Sequence, residues 1–188
     1  MTFEEKTVRT ERIYEGKIIN VRKDQVMAVN GLSYREIVEH SGGSVIAAVT
    51  DGGQMIMVRQ YRKPAERVML EVPAGKIDPG EEPFDAAVRE LREETGYTAE
   101  HMELLTRMYP SVGYAEEILY IYLATGLTPG ETHFDENEAI DVGIYPVDQL
   151  YDMVMTGQIE DGKSQVAILM VKGRLAAGQL PGCLNRPE

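Results

Sequence analysis

The sequence predicts an α/β domain of α+β type: an α/β/α sandwich around a mixed sheet, with an N-terminal β extension. Three observations predict it. Short runs of strand character, separated by Gly- and Pro-rich turns, occupy most of residues 8–72 and 102–147. One helical segment interrupts them near residues 83–95, and two more with apolar residues at helical spacing close the chain. Strands that alternate with isolated helices in this order favour helices packed on a mixed sheet.

Between Val8 and Glu39 the segments "RIYEG", "IINVRKDQVMAV" and "SYREIVE" read as strands, with turns at "YEGK" and "VNGL". The "SGG" at 41–43 reads as a hinge between this extension, residues 1–43, and a main domain, residues 44–188. "SVIAAVT" and "MIMVRQY" flank "DGGQ", a pattern that predicts a β-hairpin. "VMLEV" adds a short strand, and "MELLTRMY", "EILYIYLATGL" and "IDVGIYPV" three more. "PVDQLYDMVMTGQ" and "DGKSQVAILMVKGRLAAG" are the closing helices, with Gly157 and Gly178 as their stops.

The composition of the 188 residues, 43% hydrophobic and 27% charged, is that of a globular chain with a sizeable core. Its 31 acidic and 19 basic residues give a net charge of −12, which argues against a nucleic-acid partner. A small anion remains compatible if arginines or a metal ion reverse the field locally. No run approaches the length of a membrane span, and the first residues carry no signal-peptide pattern. The single cysteine, Cys183, cannot form an internal disulfide, so a cytoplasmic location is expected. The ten methionines read as core filler, and His40, His101 and His133 show no metal-ligand spacing.

The acidic residues between Asp78 and Glu94 pose the main question. Pro83 suits a first helical turn, and Gly96 a stop. At about 100° per residue Phe84, Val88, Leu91 and Thr95 share one face, predicted to pack on the sheet. Glu90, Glu93 and Glu94 fall on a different face. A solvated acidic face is the ordinary explanation, because exposed like charges cost only a few tenths of a kcal/mol. The Gly/Pro-punctuated approach "EVPAGKIDPGEE" points elsewhere, to a loop that brings the helix start against a strand end. Two charges about 4 Å apart at such a junction repel by about 4 kcal/mol at an effective dielectric of about 20. A hard divalent cation removes that penalty, and magnesium suits a few carboxylates combined with phosphate oxygens.

Gly75, Glu81, "REL" from Arg89 and "EETGY" at 93–97 occupy every fixed position of the Nudix box, and the segment resembles that family. The resemblance implies the Nudix fold and metal-dependent hydrolysis of a nucleoside diphosphate linked to another group. It makes Glu90 and Glu94 magnesium ligands, with manganese as a second possibility, and Glu93 a ligand or a contact through water. It adds the carbonyl of Ala74 as a further oxygen and gives Arg89 the task of holding the carboxylates.

The flanks resemble the ADP-ribose pyrophosphatase subgroup. "VRQYR" followed by "LEVPAGKIDPGE" would place Arg62 on a substrate phosphate and Glu71 at the edge of the metal site. "FDENEAIDV" resembles the loop carrying the catalytic base, with Glu136 activating water and Glu138 approaching a metal. The extension resembles one that forms a domain-swapped homodimer, placing Tyr34 and Arg35 near the adenosine pocket. One stretch departs from the pattern. "YPSVGYAEE" has Val112 where the subgroup carries a proline, although Glu117 matches its glutamate. ADP-glucose and GDP-mannose therefore stay open as substrates, as does a sensor that binds without cutting. The expected reaction is hydrolysis of ADP-ribose to AMP and ribose 5-phosphate.

Overall fold

The computed structural model describes residues 3–132 and 139–180. It divides into two compact units, one built from the chain up to Gly42 together with Tyr109–Ile118. The other comprises Gly43–Met108 and the chain from Leu119 onward.

The smaller unit is an antiparallel meander of β1 (Lys6–Glu15), β2 (Asn20–Ala28) and β3 (Gly31–Glu39), in that spatial order. Asn20 stands opposite Glu39 and Asp24 opposite Arg35. The turn into β3 ends at Gly31, whose φ of 110° few other residues adopt. The segment 109–118 adds to β3, with the Tyr114 carbonyl accepting from Val38 N–H at 2.7 Å and Val38 C=O from Glu116 N–H at 2.9 Å. Arg22 joins the pieces, donating to Asp24 at 3.2 Å and Glu39 at 2.7 Å, and also to Glu116. The bond to Glu116, then that to Glu39, raises the pKa of its guanidinium. Around Val112 the turn is present, closed by Ala115 N–H on Ser111 C=O at 3.0 Å. His40 is partly buried, and its Nδ1 accepts from Gly42 N–H at 3.0 Å.

In the larger unit, β4 (Gly43–Ala48) pairs parallel with β9 (Leu119–Thr128) and antiparallel with β7 (Ala74–Lys76). With β8 (Thr98–Met108) they form a four-stranded mixed sheet ordered β7-β4-β9-β8. A second sheet holds β10 (Ile140–Pro146), β5 (Gln54–Arg62) and β6 (Arg67–Glu71), all antiparallel.

The expected hairpin around "DGGQ" is only half present. Its turn closes through Thr50 N–H to Gln54 C=O at 2.8 Å, and one bridge joins Val49 to Met55. Beyond that bridge β4 and β5 part into different sheets, each finding longer partners there. The three-residue β7, inside what reads as loop, escaped the sequence reading.

Alternation along the strands divides the core. Val45, Ala47 and Val49, with Ile121, Leu123, Met55 and Met57, pack with α2 (Val147–Met155) and α3 (Gly162–Ala176) through Leu150, Ala167, Ile168 and Val171. Ile46, Ala48, Ile56, Tyr122 and Ala124 point the other way, to Ala87 and Leu91 of α1 (Pro83–Thr95). Period-two alternation with both faces apolar is what a strand covered on both sides requires. The larger unit is thus the expected α/β/α sandwich. Among the described residues no helix is long and apolar enough to cross a membrane.

Helix α1 follows its helical-wheel reading in part: Leu91 and Thr95 are buried as expected, but the other two residues of that face are not. Phe84 and Val88 are each 46% exposed, whereas Ala86, Ala87, Leu91, Glu94 and Thr95 are buried. Alanines let the helix axis come close to the sheet, so the contact stripe rotates toward them and takes Glu94 along. Phe84 keeps one contact with the sheet, edge-on against Tyr122 of β9, 5.9 Å between ring centres. The helix ends at Gly96, where φ is 76° and N–H bonds to Arg92 C=O at 2.8 Å. A Cβ there would also stand 2.7 Å from the Gly130 carbonyl. Gly96→Ala should therefore lower the unfolding free energy by about 1–3 kcal/mol in a denaturant titration, from left-handed backbone strain plus this clash.

Candidate active site

The site is assembled where α1 crosses β7. A Cβ on Gly75 would lie 1.8 Å from Glu90 Oε1 and 2.4 Å from Oε2, so the Glu90 carboxylate occupies the space that glycine leaves open. The glycine matters here for the space it leaves and not for its φ, which is outside the left-handed range. One turn later Glu94 is only 4% exposed, and its Oε2 accepts from Ala74 N–H at 3.0 Å. Ala74 is the residue whose carbonyl was expected to contribute an oxygen. Two carboxylates of α1 thus lie against two successive residues of β7.

Arg89 organises the exposed side of this cradle. It donates to Glu81 through Nε and Nη2, at 2.9 and 3.0 Å, and to the Lys76 carbonyl at 3.0 Å. Its Nη1 reaches Glu90 at 2.7 Å and Glu93 at 3.0 Å. The bonds to Glu81 first, then those to Glu90 and Glu93, raise the pKa of the guanidinium. Arg89 in turn holds the Glu81 carboxyl below its ordinary range.

A second cluster lies at the ends of β5 and β6. Glu71, 2% exposed, is gripped by Arg62 through Nε at 2.7 Å and Nη2 at 2.9 Å. Lys163 donates to Glu71 Oε2 and, at 2.9 Å, to Asp161 Oδ2. Burial pushes the Glu71 carboxyl up, but Arg62 and Lys163 together outweigh it and hold the group below its usual range. Arg62 is raised by Glu71 and, at longer range, by Glu94 and Asp161, which places the two clusters in one electrostatic neighbourhood. Lys163 was absent from the sequence reading. It stands 92 residues from Glu71, and no local pattern announces a lysine just inside a helix start.

Tyr34 and Arg35 belong to the smaller unit. Arg35 is paired with Glu5 at 2.8 Å, and Tyr34, 57% exposed, has the Lys23 ammonium 4.8 Å from its ring centre. Glu136 and Glu138 fall outside the described residues.

As the side chains lie, Glu90 and Glu93 face Arg89, and among the described residues no three His, Cys, Asp or Glu form a group poised to hold a metal. The chemistry of the donors still fits a hard divalent cation. Every candidate is an oxygen, and the glycine opening is filled by a carboxylate.

The NUDIX domain model matches residues 40–176. The chain belongs to the Nudix family. Nudix hydrolases in general require a divalent metal, in keeping with this oxygen-rich donor set. The chain is 42% identical to the ADP-ribose pyrophosphatase of Bacillus subtilis, covering 94% of this chain and 98% of that one. It is 41% identical to the methanol dehydrogenase activator of Bacillus methanolicus, covering 88% and 91%. A crystal structure of an ADP compounds hydrolase superposes with a TM-score of 0.81 at 22% identity, covering 96% and 99% of the two chains. This last likeness shows that the Nudix fold is shared.

Two outcomes follow from the geometry. Gly75→Ala should displace the Glu90 carboxylate, weakening manganese binding at least tenfold in a paramagnetic titration while shifting stability by only about 1 kcal/mol. Glu71, with its folded-state pKa lowered, contributes stability in full above its ordinary value of 4.5 and loses it as pH falls through the folded value. Glu71→Gln should therefore be less stable than wild type by about 3 kcal/mol at neutral pH, and the gap should narrow below pH of about 4.5 in denaturant titrations.

Proposed function

We propose that the chain is a magnesium-dependent pyrophosphatase that hydrolyses ADP-ribose to AMP and ribose 5-phosphate. The observation that carries the reaction class is the seating of Glu90 and Glu94 against the β7 backbone at Gly75 and Ala74. The donors gathered at this strand edge are all oxygens, the set that a hard divalent cation prefers, so the arrangement favours metal chemistry over a solvated acidic face. The substrate rests on the likeness to the Bacillus subtilis pyrophosphatase along nearly the whole of both chains.

Magnesium, for which manganese can substitute, would be held by Glu90, Glu93, Glu94 and the Ala74 carbonyl, neutralising pyrophosphate oxygens and acidifying water. Arg89 orients Glu90 and Glu93 and keeps their mutual repulsion in check. Arg62 presents a fixed positive charge to a substrate phosphate, with Glu71 holding its guanidinium plane. Glu136 would accept the proton of the attacking water, and Glu138 would be a further carboxylate for the metal. Water oxygen bonds to phosphorus, the bridging P–O bond breaks, and its electron pair leaves with the departing phosphate. A loop carboxylate suits the base, since a loop can close over bound substrate.

The N-terminal extension, residues 1–43, would form a homodimer in which Tyr34 and Arg35 complete the adenosine pocket of a partner copy. The exposure of β1 along its whole length supports this role, as do exposed Val8, Ile13 and Tyr14. A cytoplasmic location belongs to the same reading, with the lone Cys183 as its support. Val112 in place of the subgroup's proline favours a second reading, in which ADP-glucose or GDP-mannose is the preferred substrate.

AMP or GMP release is measured from ADP-ribose, ADP-glucose and GDP-mannose, with magnesium and with chelator. The expected outcome is magnesium-dependent cleavage favouring ADP-ribose. Preference for another sugar nucleotide would discard the substrate, and binding without cleavage would discard the enzyme in favour of a sensor. Glu94→Gln keeps an oxygen for the Ala74 N–H and should fold normally, yet lose turnover by about a thousandfold. Near-normal turnover in that variant would remove Glu94 from the metal site.

A further inference from the structure

We propose that Lys163 is a positioning residue that fixes Arg62 through the buried carboxylate of Glu71. The inference rests on the reading of Arg62 as a contact to a substrate phosphate.

The two-pronged bond from Arg62 sets the guanidinium plane relative to the Glu71 carboxylate, at 2.7 and 2.9 Å. It does not set the carboxylate relative to the protein, because the pair can turn together about the glutamate side-chain bonds. Lys163 supplies that missing constraint by donating to Oε2, the oxygen that also accepts from Arg62 Nη2. The lysine is itself anchored. Its side chain is 13% exposed, and Asp161 accepts from its Nζ at 2.9 Å.

Asp161 is held in turn. It caps α3, accepting from Ser164 N–H at 3.0 Å and from Ser164 Oγ at 2.5 Å. Ser164 Oγ accepts from Val72 N–H at 2.9 Å, so the helix start is tied to the residue that follows Glu71. The chain Arg62, Glu71, Lys163, Asp161 alternates in sign, so each charge has an opposite neighbour in a largely desolvated setting. It leads from a partly exposed guanidinium to a rigid helix terminus. A side chain that must meet phosphate within a few tenths of an ångström needs such a support.

The test uses this whole chain at saturating magnesium, with ADP-ribose varied. Lys163→Met should raise KM about tenfold and leave kcat within about twofold, as expected for a ground-state contact that has lost its orientation. Lys163→Arg, which can still donate to both carboxylates, should restore KM to near wild type. The decisive comparison is with Arg62→Ala: in that background Lys163→Met should have no further effect on KM, because its route to substrate is gone. Thermal unfolding of each variant separates a loss of fold from a loss of orientation. Should Lys163→Met fail to fold, Lys163→Gln takes its place, with a smaller KM rise that is again silent beside Arg62→Ala.

If Arg62→Ala raises KM but the lysine variant leaves it unchanged, or adds to it in full, the inference is overturned and the reading of Arg62 stands. If Arg62→Ala leaves KM at its wild-type value, the reading of Arg62 fails and the inference fails with it.

Discussion

The close approach of α1 to β7 at Gly75 is the constraint on which the rest of the site depends. The Glu90 carboxylate lies where any other residue would place its Cβ. For the helix to come so near, its inner face must be small, and Ala86 and Ala87 supply that face. Glu94 is then carried inward with Leu91 and turns its carboxylate to a β7 amide. The left-handed glycine at position 96 ends the helix immediately after the last of these residues. The seating of both carboxylates thus depends on how closely α1 lies against β7.

Charge is handled by pairing within the site rather than by its dilution into solvent. The protein carries a net charge of −12, yet each cluster of site carboxylates has its own arginine. Arg89 serves Glu81, Glu90 and Glu93, and Arg62 serves Glu71. The two arginines differ in kind. Arg89 draws together side chains from the loop and the helix, so it holds the shape of the cradle. Arg62 is paired with a single deeply buried carboxylate whose other partner is a lysine. In one case the cation organises anions, and in the other the anion organises the cation.

The smaller unit follows the same logic at a different place. Arg22 joins β2, β3 and the 109–118 segment through three carboxylates. A meander whose first strand is exposed along its length has little apolar burial of its own, so such charged crosslinks matter more there than in the sandwich. That segment follows β8 directly in the chain, but its backbone bonds go to β3.

Much of this was legible in the sequence, and the reason is local. The box residues from Gly75 to Tyr97 are close in sequence because one loop and one helix carry them, so helix limits, glycines and carboxylates could be read together. The strands also announced themselves through alternation. What failed was whatever depended on partners distant in the chain. "DGGQ" specifies a turn but not whether the strands stay paired, and β4 and β5 part because β9 and β10 compete for them. The helical wheel ranked Phe84 and Val88 above alanines by hydrophobicity, while the tertiary contact turned Ala86 and Ala87 inward, because small side chains at those positions let the helix lie close to the sheet. Lys163 was invisible because it meets Glu71 across 92 residues. Spacing reveals chemistry held by one segment; chemistry shared between segments is decided only when packing fixes which ends meet.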